Sequence, residues 1–367
     1  MGKSAFEAVT SAELANQIAA KKKSIKKLPT WFKTPLIYFP ALISIEQCSS
    51  EVTARYKSAL VKGDSLVDVT GGFGVDSYYF SNQVAGVTHC EINEELSEIA
   101  QHNASILSKT NIEFIKGDGM VFVEKATIQY GTIYIDPSRR SDKGKVFMLK
   151  DCVPNVVENL DYLISKSERI LIKTSPLLDI TAGLKELKNV SEIHIVSTKN
   201  ECKELIFVVD RLLTAPVKIV CSTLNESLKQ FSFEKGGELV APAMVTEDLE
   251  SYLYEPDAAL LKSGAFDLVA VKFDLKKLHR QTQLYTSNNI EITFPGRIFK
   301  IDKVSSTGDL KKEKNLIGNV IVRSFPEKAE VLVKKHKIKP DQNRFLIFTQ
   351  YREERYIVVS ATIIQHY

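Results

Sequence analysis

From about residue 61 the chain alternates short apolar runs with longer segments of mixed polarity. The runs fall at 65–69, 84–90, 112–115, 132–135 and 169–172. A strand covered on both faces reads as a continuous apolar run, and parallel neighbours need a crossover segment such as a helix. The pattern therefore predicts a parallel sheet with helices on both faces, closed by right-handed crossovers. Two further runs, EIHIVST (192–198) and ELIFVVD (204–210), are separated only by KNECK. That is too short for a crossover, so the final pair is expected to be antiparallel. The expectation is an α/β sheet of seven strands with an antiparallel last hairpin, over residues 61–212.

The flanks read differently. Helical spacing predicts helices over 4–23 and 44–61, joined by LPTWFKTPLIYFP (28–40), whose three prolines suggest an extended connector. Residues 1–60 thus form a helical region with a basic connector. After Arg211 a strand-like run at 215–224 precedes a helical stretch within 248–275, and strands within 288–304 break at Pro295 and Gly296. The tail reads strand (318–324), helix (326–337), strand (344–349), strand (356–363). Two small regions follow from this, an α+β, ferredoxin-like one at 213–300 and a C-terminal one at 301–367.

Composition narrows the class. With 44% hydrophobic and 26% charged residues, and no stretch near the ~18 apolar residues a membrane span needs, a globular cytoplasmic protein is expected. The start MGKSAFEAVTSAELANQ lacks the basic and apolar blocks of a secretory signal. Five scattered cysteines and six dispersed histidines form neither C-x-x-C pairs nor an i, i+4 histidine pair, so no metal is expected. The net charge of +4 is mild, but six lysines lie in KKKSIKKLPTWFK (21–33) beside Trp31 and Phe32, and a second basic stretch spans 311–339. Each is a solvated face or a nucleic-acid grip, and aromatics beside lysines suit the second.

Candidate chemistry collects where the runs end. LVDVTGGFGVDS (66–77) places Gly71, Gly72 and Gly74 between a strand and a helix, where a ligand can approach the backbone closely. These glycines do not complete the dinucleotide fingerprint, and Asp68 before them favours a ligand carrying a cation over a diphosphate. Glu91 ends the second run, where an acid can accept both hydroxyls of an adenosine ribose. Asp118 follows the third, placed for an adenine amine, with Ile92 and Met120 as apolar covers for the ring. Asp136 follows the fourth, in DPSRR. An Asp-Pro-Ser sequence also opens an ordinary turn. Four acids at four successive strand ends nevertheless point to one ligand crevice.

These residues resemble the class I S-adenosylmethionine-dependent methyltransferases, whose Rossmann-like sheet has seven strands and an antiparallel last hairpin. The resemblance covers roughly 45–210 and rests on Asp68 to Gly74, Glu91, Asp118 and DPSRR. More narrowly, SIEQCSSEVTARYK, KTSPLLDI, YLYEPDAALLKSGAF, LYTSN and FPGRIF are similar to a bacterial methyltransferase group with a THUMP-like C-terminal domain, the THUMP domain proper being associated with structured RNA. The resemblance implies S-adenosylmethionine as cofactor. Asp68 and the amides of Thr70 to Gly74 would hold its methionine end, Glu91 its ribose, and Asp118 with Gly119 its adenine, while helix 46–57 with Gln47 and Ser50 would close the pocket.

In relatives that methylate base amines, the motif at DPSRR is an acid or Asn, two prolines and an aromatic. Asp136 and Pro137 fit it; Ser138 and Arg139 do not, although an arginine plane also stacks or forks onto a phosphate. Arg139 is equally a structural partner of Asp136, and Lys173 equally a cleft residue or the cap of a carboxylate. Neither DPSRR nor KTSPLLD offers a cysteine nucleophile for carbon methylation. The expected activity is methylation of a base nitrogen in tRNA or rRNA. The alternatives are a protein or small-metabolite substrate, or a catalytically silent RNA-binding protein on the same scaffold.

Overall fold

The computed structural model describes residues 9–138, 140–141, 144–145, 148–213, 215–239, 241–313, 315–352 and 355–367. The chain divides into two units, one of residues 1–193 with 204–215 and one of residues 194–203 with 216–367.

The first unit opens with α1 (Ser11–Lys27), α2 (Pro29–Lys33), α3 (Leu42–Gln47) and α4 (Glu51–Ser58). Thr10 caps α1 by accepting from the Glu13 amide at 3.1 Å, and Lys26 and Lys27 stand in its last turn, where cations oppose the helix dipole. The expected extended connector is interrupted, because Pro29 occupies the first position of α2, where proline lacks no needed donor. The single helix expected over 44–61 is two, since Ser50 leaves helical geometry to cap α4. Trp31, Phe39, Ile45 and Ala54 bury against Phe73, Val75 and Tyr79. These N-terminal helices are therefore part of the first unit's core, as an apolar helix stripe must find a partner.

Strands β1 (Ser65–Asp68), β2 (Gly86–Glu91), β3 (Ile112–Lys116) and β4 (Tyr130–Ile135) alternate with α5 (Val75–Phe80), α6 (Glu94–Ile106) and α7 (Gly119–Lys125). A short hairpin, β5 (Arg140–Ser141) and β6 (Gly144–Lys145), precedes α8 (Val156–Lys166), β7 (Ser167–Thr174), α9 (Ile180–Glu186), β8 (Val190–Thr198) and β9 (Glu201–Asp210). Among the described residues these seven strands lie in the order β8-β9-β7-β4-β1-β2-β3 within a nine-stranded sheet. Strands β1 to β4 and β7 are parallel, and β9 runs antiparallel to β7, pairing Arg169 with Asp210 through Thr174 with Leu205. The expected α/β arrangement of seven strands with an antiparallel return is present as part of this larger sheet. Asn93, Asp118, Asn155 and Asp179 each cap the helix that follows them, whereas α5 begins from Gly74 at φ +80 with no side-chain cap. That junction is shaped by backbone freedom instead.

The second unit contains the hairpin β10 (Lys218–Leu224) and β11 (Leu228–Glu234), then β12 (Tyr252–Pro256), α10 (Ala258–Ser263), α11 (Phe266–Lys272), β13 (Lys276–His279), β14 (Thr282–Ser287), β15 (Gly296–Ser306), β16 (Asn319–Arg323), α12 (Ala329–His336), β17 (Arg344–Tyr351) and β18 (Arg355–Gln365). Seven of these strands form one sheet in the order β13-β14-β12-β15-β18-β17-β16. The boundary expected at 300 falls inside β15, which pairs with β12 on one side and β18 on the other. One sheet thus spans both expected tail regions, because β15 is long enough to serve both. Among the described residues, no helix is long and apolar enough to cross a membrane.

Candidate active site

The parallel register sets Asp68 beside His89 and Tyr134, so β1, β2 and β4 end together at one edge. A cavity of ≈ 140 Å³ lies there, lined by residues 44–49 of the N-terminal helices, the loop from Thr70 to Asp76, Leu96 and Asp136. The loop is drawn tight beneath it. A Cβ on Gly71 would lie 2.2 Å from the His89 ring, and one on Gly119 2.4 Å from the Val69 carbonyl oxygen. Burial pushes the His89 pKa down to about 3, so a neutral imidazole supports the loop, within 3.1 Å of the Ser77 hydroxyl.

Two of the expected contacts change. Asp68 is 1% exposed and turned under the loop, its oxygens accepting from the Thr70 amide (3.1 Å) and the Ser77 hydroxyl (2.7 Å). Burial outweighs these bonds and lifts its pKa to about 7. Asp68 therefore braces the loop, and it does not line the cavity. The Gly71 amide donates to Cys90, Gly72 to Glu91 and Gly74 to Gly71, so with Thr70 most of the loop amides already have partners within the protein. The loop offers close approach more than donors.

Glu91 stands where a ribose acid was expected. Its two oxygens accept from the Gly72 and Asn93 amides, both at 2.8 Å, and a carboxylate bound once at each oxygen retains acceptor capacity. Beside it Ile92 is 74% exposed and so is accessible to a bound ring. Asp118 caps α7 through one oxygen, accepting from the Met120 amide at 2.7 Å, and Gly119 is packed under the loop. An acid with acceptor capacity to spare, beside the exposed Ile92, fits an adenosyl group.

Asp136 is joined to the glycine loop through its amide, which donates to the Thr70 hydroxyl at 2.8 Å. Its carboxylate pairs with Lys173 at the end of β7. Of the two readings of Lys173, capping a carboxylate is the one observed. Pro137 is buried, Ser138 is exposed and bridges in antiparallel fashion to Val153, and Arg139 lies outside the described residues.

The sequence missed what lies behind this pair. Lys57 on α4 is fully buried, with its ammonium 2.9 Å from both Glu204 oxygens and from the Ser49 hydroxyl, and 3.2 Å from Asp76. Asp76 in turn accepts from Ser49 at 2.7 Å and Tyr134 at 2.9 Å. Burial would raise the Asp76 pKa, but the Lys57 and Lys173 charges and these bonds hold it below the usual range. Burial would likewise lower Lys173, yet Asp136, Glu204 and Asp76 hold it above the usual lysine range. Lys57 and Glu204 are 147 residues apart, and no local pattern joins them. Ser49, next to the expected Ser50, lines the cavity in its place, and Gln47 lines it as expected.

A cysteine does reach the cavity. Cys48, at the end of α3, donates to the Ile45 carbonyl at 3.3 Å, and burial pushes its thiol up to about 11. It is a poor nucleophile there, since the thiolate is the reactive form. Trp31, beside the lysine run, is 2% exposed and belongs to the core, so it offers no ring for stacking.

A ferredoxin-like domain family matches residues 252–295. A solved structure from Porphyromonas gingivalis W83, described as a "putative methyltransferase", superposes with a TM-score of 0.89 at 29% identity, covering 100% of this chain and 93% of that one. An rRNA methylase from Streptococcus thermophilus overlaps 43% of this chain and 94% of its own at 16% identity, TM-score 0.32. A Pyrococcus abyssi tRNA (uracil-54, C5)-methyltransferase with S-adenosyl-L-homocysteine overlaps 47% and 40% at 20% identity, TM-score 0.33. The last two likenesses are too slight to bear on function. No curated protein sequence shows significant similarity to the chain.

Proposed function

We propose that the protein is an S-adenosylmethionine-dependent methyltransferase acting on a base nitrogen in RNA. The observation that carries the reading is Asp136, followed by Pro137, held at the end of β4 by Lys173 and opening on the glycine-loop cavity. The full-length likeness to the Porphyromonas protein supports the methyltransferase part.

When bound, the cofactor supplies an electrophilic methyl group on a sulfonium. Glu91 would accept the ribose hydroxyls, Ile92 and Met120 would flank the adenine, Asp118 would receive its amine, and Gly71, Gly72 and Gly74 would let the methionine end approach the backbone. Asp136 accepts a hydrogen from an exocyclic amine, aiming the nitrogen lone pair and holding the proton that must leave. Lys173 fixes that carboxylate, and Asp136 itself with Glu204 and Asp76 holds Lys173 charged. The RNA part is supported by the exposed lysines of α1 and by the THUMP-like reading of residues 301–367.

Mass spectrometry of nucleosides from cells with and without the gene, complemented by wild type or Asp136→Ala, tests this. A methylated nucleoside should vanish with the gene and return with wild type only. With purified protein, Asp136→Ala should bind S-adenosylhomocysteine within a few-fold of wild type while transfer falls ~100-fold or more. Equal loss of both would make Asp136 a cofactor or folding residue, and no change in any nucleoside would remove RNA as the substrate.

A further inference from the structure

A separate cavity lies inside the second unit. It measures ≈ 840 Å³, and its wall includes Lys277, His279, Arg280 and Arg352 beside the apolar Pro242, Ala243 and Val245. A volume of this size suits a ligand larger than an inorganic ion, since small-molecule pockets run to roughly 300–1,000 Å³.

The backbone builds this wall deliberately. Segment 242–247 is tied to β13 by the Lys277 amide donating to Met244 at 2.8 Å and the Thr246 amide donating to Lys277 at 2.9 Å. Strand β13 carries a bulge between Lys277 and His279, a feature that re-aims side chains next to sites. The turn after β17 is tied to the same strand, since the Arg352 amide donates to Leu278 at 3.2 Å, and Arg352 takes φ +53, a conformation costly for a side chain of this size.

The hydrogen-bonding capacity left over is mostly donor capacity. The His279 Nδ1 accepts from the Gln281 amide at 3.1 Å, which leaves the neutral ring's proton on Nε2. Arg352 gives one terminal nitrogen to Asp248 at 3.2 Å, while its buried Nε has no partner among the described residues. Lys277, with its side chain 5% exposed, donates to the Arg280 carbonyl at 2.9 Å and lies 3.4 Å from Asp267. That Asp267 contact is long for a charge-assisted bond, and a stronger anion can compete with it. Glu247 and Asp267 are the acids of the wall, and Glu247 is exposed at its rim. A buried donor without an acceptor, as the Arg352 Nε is, costs free energy, which an anion of fork-matching geometry would recover.

We propose that this cavity binds a phosphate monoester of nucleotide size, with Arg280, Arg352, Lys277 and His279 on the phosphate and Pro242, Ala243 and Val245 against the remainder. The phosphate can belong to a free mononucleotide or to the 5′ end of an RNA strand.

Calorimetry on the full chain separates these. The probes are the four nucleoside 5′-monophosphates, the four nucleosides, and a short RNA with and without a 5′-phosphate. At least one phosphorylated probe should bind ~10-fold or more tightly than its unphosphorylated counterpart, and Arg280→Gln and Arg352→Gln should each remove ~10-fold or more of that affinity. A preference for the RNA probe over every mononucleotide assigns the site to a strand end; the reverse assigns it to a free nucleotide. Arg280→Gln leaves the buried Lys277 in place, so a folded variant is available even if Arg352→Gln fails to fold. Equal binding of phosphorylated and unphosphorylated probes, or binding untouched by Arg280→Gln, overturns the proposal.

Discussion

Replacing Lys57 with methionine keeps the volume of the side chain and removes its charge from the bottom of the site. Glu204, with 3% of its side chain exposed, would then have both oxygens stripped of their ammonium partner at 2.9 Å. At an effective dielectric near 20, that contact is worth ~6 kcal/mol of Coulomb energy, and the Asp76 contact at 3.2 Å is worth ~5 kcal/mol. Most of this offsets desolvation in the native protein, and orphaning one partner of a buried pair costs ~3–5 kcal/mol net. Asp76 keeps its bonds from Ser49 and Tyr134, so the loss falls mainly on Glu204. The chain's single tryptophan, Trp31, is 2% exposed in the core of the first unit, so its fluorescence follows the unfolding of that unit. With a urea slope of roughly 2 kcal/mol per M, the Lys57→Met midpoint should drop by roughly 1.5–2.5 M. Adding Glu204→Gln should restore about half of the loss, because a neutral amide no longer needs the ammonium. A drop below ~0.5 M, or no recovery in the double variant, would refute the view that charge balance holds this cluster.

Three further outcomes are expected. Asp68 has a folded pKa of about 7 against about 3.8 unfolded. The folded state therefore binds the extra proton, and stability present below pH 4 is lost as pH rises to 7, by up to ~4 kcal/mol; Asp68→Asn should flatten that slope relative to wild type in urea titrations across this range, and parallel slopes would contradict the burial argument. Glu91→Ala should weaken S-adenosylhomocysteine binding by ~2 kcal/mol or more in calorimetry, with Glu91→Gln intermediate; unchanged affinity would remove Glu91 from the ribose. Replacing Lys21, Lys22 and Lys26 with glutamine should reduce the salt slope of RNA binding by up to ~2, at ~0.7 per phosphate contact on single strands. Lys27 is left in place because its ammonium holds the Ile45 and Glu46 carbonyls at 2.8 and 2.7 Å, and an unaltered slope would make the lysine run only a solvated face.

Apolar patterning alone predicts the sheet and the edge where the candidate site lies. Apolar runs spaced for crossovers can be satisfied only by parallel strands with covered faces, and the five residues between EIHIVST and ELIFVVD leave an antiparallel return as the available connection. Glu91, Asp118 and Asp136 were legible for the same reason, since each sits where a run ends and a turn must begin. Tertiary structure alone decided which acids face the cavity. Asp68 and Asp76 flank the same glycine loop in sequence, yet the first turns inward to Ser77 and the second is drawn to Lys57, Ser49 and Tyr134. It also decided that Trp31 is core and that Lys173 meets Asp136. The physical reason is that a buried charge is settled by the nearest opposite charge and the local loss of water, and both come from segments as distant as Lys57 and Glu204. Local periodicity records which side of an element is buried, and carries no record of what is buried with it.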